Sequence, residues 1–258
     1  MFMRSPRPQV LHPITPNIGA CWGPRVLALE RISGDSGRKA SAILAQLHRE
    51  FVTASGVEYH AAMSEMAAFV LAGGRSSRMG RDKAFLELQG RTLLERALAI
   101  ARTISDDVSI VGQGEKFAAY APVIEDVYPG QGPLAGIHAA LTASRSELNF
   151  ILALDTPFLD PKFARYLVQQ AKQSGATVTV PQVAGQAQPL SAVYRREFAA
   201  VAENALRQGK NSIVPLFASV PTRQIGDAEL RNLAYDPRMF DNLNTPEEWD
   251  QACKRAQK

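Results

Sequence analysis

The chain has 258 residues, of which 46% are hydrophobic, and a formal net charge of +4 at pH 7. This length suffices for one large domain, or for one domain with an appendage, and the apolar content is ordinary for a globular protein. The mild charge does not indicate nucleic-acid binding, and no apolar run reaches the roughly 20 residues of a membrane-spanning helix. The two cysteines, Cys21 and Cys253, are too few for a disulfide framework and lack metal-ligand spacing, so we expect a reducing, cytoplasmic location.

Residues 1–65 differ in composition from the rest of the chain. Five prolines fall within the first 24 residues and would interrupt any long helix or strand. One stretch is helix-like, because its apolar residues between Ile43 and Phe51 share one face at helical spacing. We expect residues 1–65 to be an N-terminal extension, either disordered or the product of a mis-assigned start, and residues 66–258 to form the main domain.

From Ala67 onward, short apolar runs alternate with helical patterns. The runs predict strands at residues 67–70, 108–111, 150–154 and 178–180, and helical stripes lie at residues 93–101 and 134–141. This alternation favours a three-layer α/β/α, Rossmann-like fold with a mostly parallel sheet. In such sheets ligands bind at the carboxyl ends of the strands.

A glycine-rich, basic loop follows the first predicted strand directly. Gly73 and Gly74 have no Cβ and let the backbone approach a ligand closely. Arginines follow, among them Arg78, and the loop ends at Lys83. Bare amides and clustered cations suit a polyphosphate. The loop is not of the Walker type, because Lys83 is followed by alanine instead of serine or threonine.

Two aspartates follow other predicted strands. Asp155 comes directly after the apolar run 150–154, which would place its carboxylate at the same edge of the sheet as the loop. Magnesium prefers hard oxygen ligands and is commonly held by one or two carboxylates together with phosphate oxygens. Asp126 follows a shorter extended run. A simple turn at Asp155 and a solvated loop acid at Asp126 are the structural alternatives.

The sequence resembles the molybdenum cofactor guanylyltransferases, which belong to the nucleotidyltransferase superfamily. Five segments carry the resemblance in the family's order: Leu71 to Lys83, Gly132 to Gly136, Asp155 to Phe158, Gln188 to Leu190, and Asn242 to Glu247. Together they span the chain from about Ala67 to its C-terminal end. Five motifs in the same order are difficult to attribute to chance.

The resemblance implies an Mg²⁺-dependent enzyme that transfers GMP from GTP to the molybdenum-molybdopterin cofactor and releases pyrophosphate. It implies a catalytic set of Lys83, Arg78 and Asp155, with Asp155 also as the metal ligand. Molybdoenzyme maturation proteins are further expected partners. The residues expected to bind nucleotide or acceptor are Leu71, Ala72, Gly73, Gly74, Lys83, Asp126, Asp155, Gln188, Asn242 and Asn244.

One position departs from the family, and other functions stay open. The family often has an asparagine after the strand at 108–111, where this chain has Gly112, so any side-chain contact at this position is lost. The alternatives are a related cytidylyltransferase, a sugar-phosphate nucleotidyltransferase, or a non-catalytic nucleotide-binding assembly protein.

A helix start is predicted near the C-terminus. Thr245 is expected as the N-cap, Pro246 as the first helical residue, and Glu248 as the partner in a capping box. This helix start explains those residues but leaves Asn242 and Asn244 without a structural reason.

Overall fold

The structure of the protein, a computed structural model, describes residues 65–73 and 82–256. The strands are, in chain order, β1 (Met66–Leu71), β2 (Glu87–Leu88), β3 (Arg91–Thr92), β4 (Val108–Val111), β5 (Val123–Ile124), β6 (Leu148–Ala153), β7 (Val178–Val183), β8 (Gln186–Ala187), β9 (Ser191–Arg195) and β10 (Thr222–Ile225). The α-helices are α1 (Leu93–Arg102), α2 (Gly114–Phe117), α3 (Pro133–Ala143), α4 (Pro161–Ser174), α5 (Phe198–Arg207), α6 (Asp227–Asn232) and α7 (Pro246–Ala256). Short 3-10 helices lie at Lys83–Phe85, Val214–Ser219 and Pro237–Phe240.

The main sheet has the strand order β10-β7-β9-β6-β1-β4-β5, and β8 pairs with β7 outside this path. β1 is an interior strand and pairs in parallel with β4 on one side and β6 on the other. β9 runs antiparallel to both of its neighbours, β6 and β7. The prediction of a mostly parallel sheet is therefore confirmed, with β9 as a reversed strand that the apolar pattern did not reveal.

Both faces of the sheet are covered by helices, and the residues of β1 divide between two cores. Ala68 and Val70 pack into one core together with apolar residues of α1 and α4. Phe69 and Leu71 pack into a second core with residues of α3 and α5. Because successive residues of a strand point to opposite faces, a strand buried on both sides reads as an uninterrupted apolar run. The three-layer α/β/α prediction is confirmed.

The predicted elements from Ala67 onward are present, with small differences at their ends. The strand predicted at residues 150–154 runs from Leu148 to Ala153, so Asp155 lies in a turn two residues beyond it. The helix predicted between Ile43 and Phe51 lies outside the described residues. The proposed division between an extension at 1–65 and a domain at 66–258 remains a prediction.

The C-terminal helix α7 begins with the predicted capping box. The Thr245 hydroxyl accepts from the backbone N–H of Glu248 at 3.2 Å, and the Glu248 carboxylate accepts from the Thr245 N–H at 2.9 Å. The segment before the helix is tied to the turn that follows β6, because the Leu243 N–H donates to the backbone carbonyl of Asp155 at 3.0 Å. Leu243 is itself buried against α1 and α7 residues. This arrangement holds Asn244 at the carboxyl end of β6.

Candidate functional site

A cleft of about 1120 Å³ opens at the carboxyl edge of the central strands. Its walls come from the turns that follow β1, β4, β5 and β6, from the start of α3, and from the segment before α7. The predicted site residues that line it are Leu71, Ala72, Gly73, Lys83, Asp126, Asp155 and Asn244. These residues are distant in sequence, and the parallel strands bring them to one edge.

Lys83, at the C-terminal end of the glycine-rich loop, contacts Asn244 and Asp155 in the cleft. Asp82 caps the 3-10 helix that begins at Lys83, because its carboxylate accepts from the backbone N–H of Ala84 at 3.2 Å. The Lys83 Nζ donates to Asn244 Oδ1 at 3.0 Å and lies 3.9 Å from Asp155 Oδ2. Burial lowers the pKa of the Lys83 ammonium, while the nearby charges of Asp155 and Glu248 act to raise it. A cation fixed in this way is directed at the floor of the cleft.

Asp155 provides a carboxylate at the same place. Its side chain is 23% exposed, and its backbone is fixed by the hydrogen bond from Leu243. No group of three or more His, Cys, Asp or Glu residues suited to a metal ion occurs in residues 65–73 and 82–256. A metal ion at Asp155 would therefore need oxygen ligands from the bound substrates, which is the usual arrangement for magnesium.

The opposite wall of the cleft carries two adjacent carboxylates at the end of β5. Asp126 is predicted from the sequence, and its Oδ1 accepts from the backbone N–H of Tyr128 at 2.8 Å. Glu125 was not predicted, and its Oε1 accepts from the backbone N–H of Gly114 at 3.0 Å. Both residues line the cleft. The sequence carried no distinguishing pattern for Glu125, because its contact depends on the pairing of β4 with β5.

Lys116 is a second cation of the cleft that sequence reasoning missed. It forms an ion pair with Asp82, the residue before Lys83, and its Nζ lies 4.6 Å from the centroid of the Phe117 ring. The pair joins α2 to the C-terminal end of the glycine-rich loop. A lysine on a short polar segment gives no indication of such a contact before the fold is known.

Two predicted site residues of the described ranges, Gln188 and Asn242, do not line the cleft. Gln188 is absent from its lining, and its side-chain amide donates to the backbone carbonyl of Gln186 at 3.3 Å. Asn242 is exposed and is likewise absent from the lining. Gly74 and Arg78 lie outside the described residues. Their roles therefore remain predictions.

Gly112 lies in the cleft wall where the family often has asparagine. A Cβ built on Gly112 would lie 2.9 Å from Cε2 and 3.0 Å from Cδ2 of Phe117. The Phe117 ring is buried, with 1% exposure, and so cannot move away at low cost. A side chain at this position is thus incompatible with the present packing.

The fold has three layers, and a glycine, a lysine and an aspartate meet at the carboxyl edge of its parallel strands. These features are those of a nucleotidyltransferase. The family described as "MobA-like NTP transferase domain" matches residues 68–221. The chain belongs to this family of nucleotidyltransferases.

Named relatives agree with this membership. The chain is 34% identical to a probable molybdenum cofactor guanylyltransferase of Pelotomaculum thermopropionicum, over 71% of this chain and 90% of the relative. It is 33% identical to a probable molybdenum cofactor guanylyltransferase of Carboxydothermus hydrogenoformans, over 74% and 97% of the two chains. The crystal structure of molybdopterin-guanine dinucleotide biosynthesis protein A from Archaeoglobus fulgidus superposes with a TM-score of 0.66 and 28% identity, over 74% and 99%.

Proposed function

We propose that this protein transfers GMP from GTP to the molybdenum-molybdopterin cofactor, forming the guanine dinucleotide cofactor and pyrophosphate. The proposal rests on the contacts of Lys83 with Asn244 and Asp155, since all three residues line one cleft. Membership of the family and the names of the relatives supply the substrates.

In the proposed reaction the terminal phosphate of the acceptor attacks the α-phosphorus of GTP. A bond forms between an acceptor oxygen and the α-phosphorus. The bond between the α-phosphorus and the oxygen that bridges it to the β-phosphorus breaks, and that oxygen leaves with the pyrophosphate. No covalent intermediate with the enzyme is needed, so the protein contributes position and charge. Lys83 would contact the triphosphate and stabilise the negative charge that grows on the leaving pyrophosphate. Arg78 and the amides of Gly73 and Gly74 are proposed to share this task.

Magnesium fits the chemistry of this site. Asp155 would hold the ion through its carboxylate, together with phosphate oxygens of the bound nucleotide. Once bound, magnesium would neutralise phosphate charge as a Lewis acid. Lys83, 3.9 Å from Asp155, would add positive charge to the same region.

The acceptor is proposed to bind on the side of the cleft formed by the segment before α7 and the turn before β9. Asn244 lies there and is anchored by Lys83 and by the Glu248 carboxylate, which accepts its backbone N–H. Asn242 and Gln188 would contact the acceptor from the rim. Their amide groups can both donate to and accept from a pterin or a phosphate.

The proposed product also suggests partners and a cellular location for the enzyme. Molybdoenzyme maturation proteins that receive the guanine dinucleotide cofactor are the proposed partners, and the cytoplasm is the proposed location. No helix in the two described ranges is both long and apolar enough to cross a membrane.

The test is incubation of the protein with Mg²⁺, the molybdenum cofactor and a single nucleoside triphosphate, followed by mass analysis. GTP should give the guanine dinucleotide cofactor and one pyrophosphate per product molecule. A CMP adduct formed from CTP, with no product from GTP, would instead identify the protein as a cytidylyltransferase. Nucleotide binding without any product would favour the non-catalytic alternative.

A further inference from the structure

The order of the strands sets a direction for a nucleotide in the cleft. Asp155 and Lys83 lie at the end of β6, whereas Glu125 follows β5, which is three strand positions away. At a spacing of about 4.8 Å per strand, the two ends of the cleft are roughly 14 Å apart. A nucleoside triphosphate is an extended molecule with its base and its γ-phosphate at opposite ends. With its phosphates at Lys83, its base would reach the wall that contains Glu125.

One oxygen of the exposed Glu125 carboxylate is hydrogen-bonded to the first residue of α2. Its Oε1 accepts from the backbone N–H of Gly114 at 3.0 Å. A Cβ at Gly114 would lie 2.9 Å from the same oxygen, so a larger residue at this position would shift the carboxylate. The hydrogen bond uses one lone pair of Oε1, so the carboxylate keeps acceptor capacity on both oxygens.

The second carboxylate of this wall, that of Asp126, makes its hydrogen bond locally. Asp126 folds its carboxylate back onto the N–H of Tyr128, within its own turn. Gly112, at a position where the family often has asparagine, has no side chain to offer, and the space beside it is filled by the Phe117 ring. Among the carboxylates that line this wall, that of Glu125 accepts a hydrogen bond from a different element, the N–H of Gly114 in α2. It can still accept hydrogen bonds from a ligand.

We propose that Glu125 selects guanine, by accepting hydrogen bonds from the N1–H and the 2-amino group of the base. This inference rests on the proposed function and names the group that reads its nucleotide. Guanine presents these two donors side by side, which matches the two oxygens of a carboxylate. Adenine and cytosine instead present one amino group beside a ring nitrogen that is itself an acceptor. That lone pair would face the carboxylate, so one of the two hydrogen bonds made to guanine would be lost.

Inosine triphosphate provides the sharpest probe, because it differs from GTP only by the missing 2-amino group. With the full chain, Mg²⁺ and the molybdenum cofactor, kcat/KM for GTP should exceed that for inosine triphosphate by about 10- to 100-fold, the usual effect of a hydrogen bond to a charged group. In Glu125→Gln we expect the KM for GTP to rise by a similar factor with little change in kcat. The preference for GTP over inosine triphosphate should fall towards unity.

Two further variants make the result specific. Glu115→Gln changes an exposed glutamate of α2 that does not line the cleft, and it should keep the parent's preference. Gly114→Ala keeps the Glu125 carboxylate but pushes it from its position, so it should also lower the preference for GTP. Gly114→Ala decides the question if Glu125→Gln does not fold.

The inference is overturned if Glu125→Gln or Gly114→Ala is folded and retains the parent's GTP to inosine triphosphate ratio. It is equally overturned if Asp126→Asn abolishes the ratio while Glu125→Gln preserves it. Failure of the proposed function itself looks different, because then the parent protein would not form the guanine product from GTP at all.

Discussion

The ammonium of Lys83 donates to the side-chain oxygen of Asn244 at 3.0 Å, across a sequence separation of 161 residues. This contact joins the end of the glycine-rich loop to the segment before the C-terminal helix. Both residues lie beside Asp155, whose backbone carbonyl accepts from the residue before Asn244. The phosphate end and the acceptor end of the proposed site are thus one connected unit, so a change in either should affect both substrates.

Asp155→Asn should fold normally and lose most of its magnesium-dependent activity. A neutral amide is a poorer ligand for a hard cation, and a catalytic metal contributes several kcal/mol to transition-state stabilisation. We expect kcat to fall by about 100-fold or more. Steady-state rates over a magnesium titration measure this. Asp106→Asn, at an exposed position before β4 and thus at the amino edge of the sheet, is the matched control and should behave like the parent. Near-normal rates in Asp155→Asn would eliminate Asp155 as the metal ligand.

Lys83→Ala should weaken GTP binding and slow the transfer together. The charge of Lys83 would meet the triphosphate in both the ground state and the transition state, so its loss raises KM and lowers kcat. We expect kcat/KM to fall by about 100-fold or more, in line with the loss of a preorganised charge contact. Calorimetric GTP titration and steady-state rates test this, with the exposed Lys162→Ala as control. If GTP affinity and turnover are both unchanged, the phosphate site lies elsewhere.

Gly112→Ala should destabilise the protein, because its Cβ would overlap the buried Phe117 ring at 2.9 Å. Overpacking of this kind costs about 1–3 kcal/mol. Urea unfolding measures the loss. Gly226→Ala is a useful comparison, since a Cβ there meets nothing within 4 Å and its φ of −85° is open to any residue. We expect a smaller loss at Gly226. Equal stability of Gly112→Ala and the parent would show that Phe117 yields easily.

A chain that begins at Met63 should fold and retain activity. Residues 1–62 contain none of the five motifs that define the family resemblance, whereas Glu65 contributes contacts to the sheet and to α4. Circular dichroism and the transfer assay would compare it with the full chain. An insoluble or inactive product from the shorter chain would assign a structural or functional role to the extension.

The parts of this architecture that follow from local sequence were predictable. β1 was recognisable because a strand buried on both faces is apolar throughout, and the capping box of α7 because Thr245 and Glu248 have the required spacing. The turn at Asp155 followed from its place after a buried strand.

The contacts that depend on long-range pairing were not predictable in the same way. The reversal of β9 depends on its position between β6 and β7, and the contact of Glu125 with Gly114 depends on the pairing of β4 with β5. The pair formed by Lys116 and Asp82 likewise connects helix α2 to a loop that is distant in sequence. Charged and small residues of this kind have no periodic pattern, so their partners become evident only with the fold.

Transfer of a guanylyl group is best tested by a competition between nucleotides for incorporation. The protein is incubated with Mg²⁺, the molybdenum cofactor, and GTP, CTP and ATP at equal concentrations, and the dinucleotide products are quantified by mass. We predict that GMP is incorporated in clear excess over CMP and AMP, because buried hydrogen-bonding groups reject a mismatched base strongly. Predominant incorporation of CMP or AMP would contradict the guanylyltransferase assignment while leaving the nucleotidyltransferase fold and family unaffected.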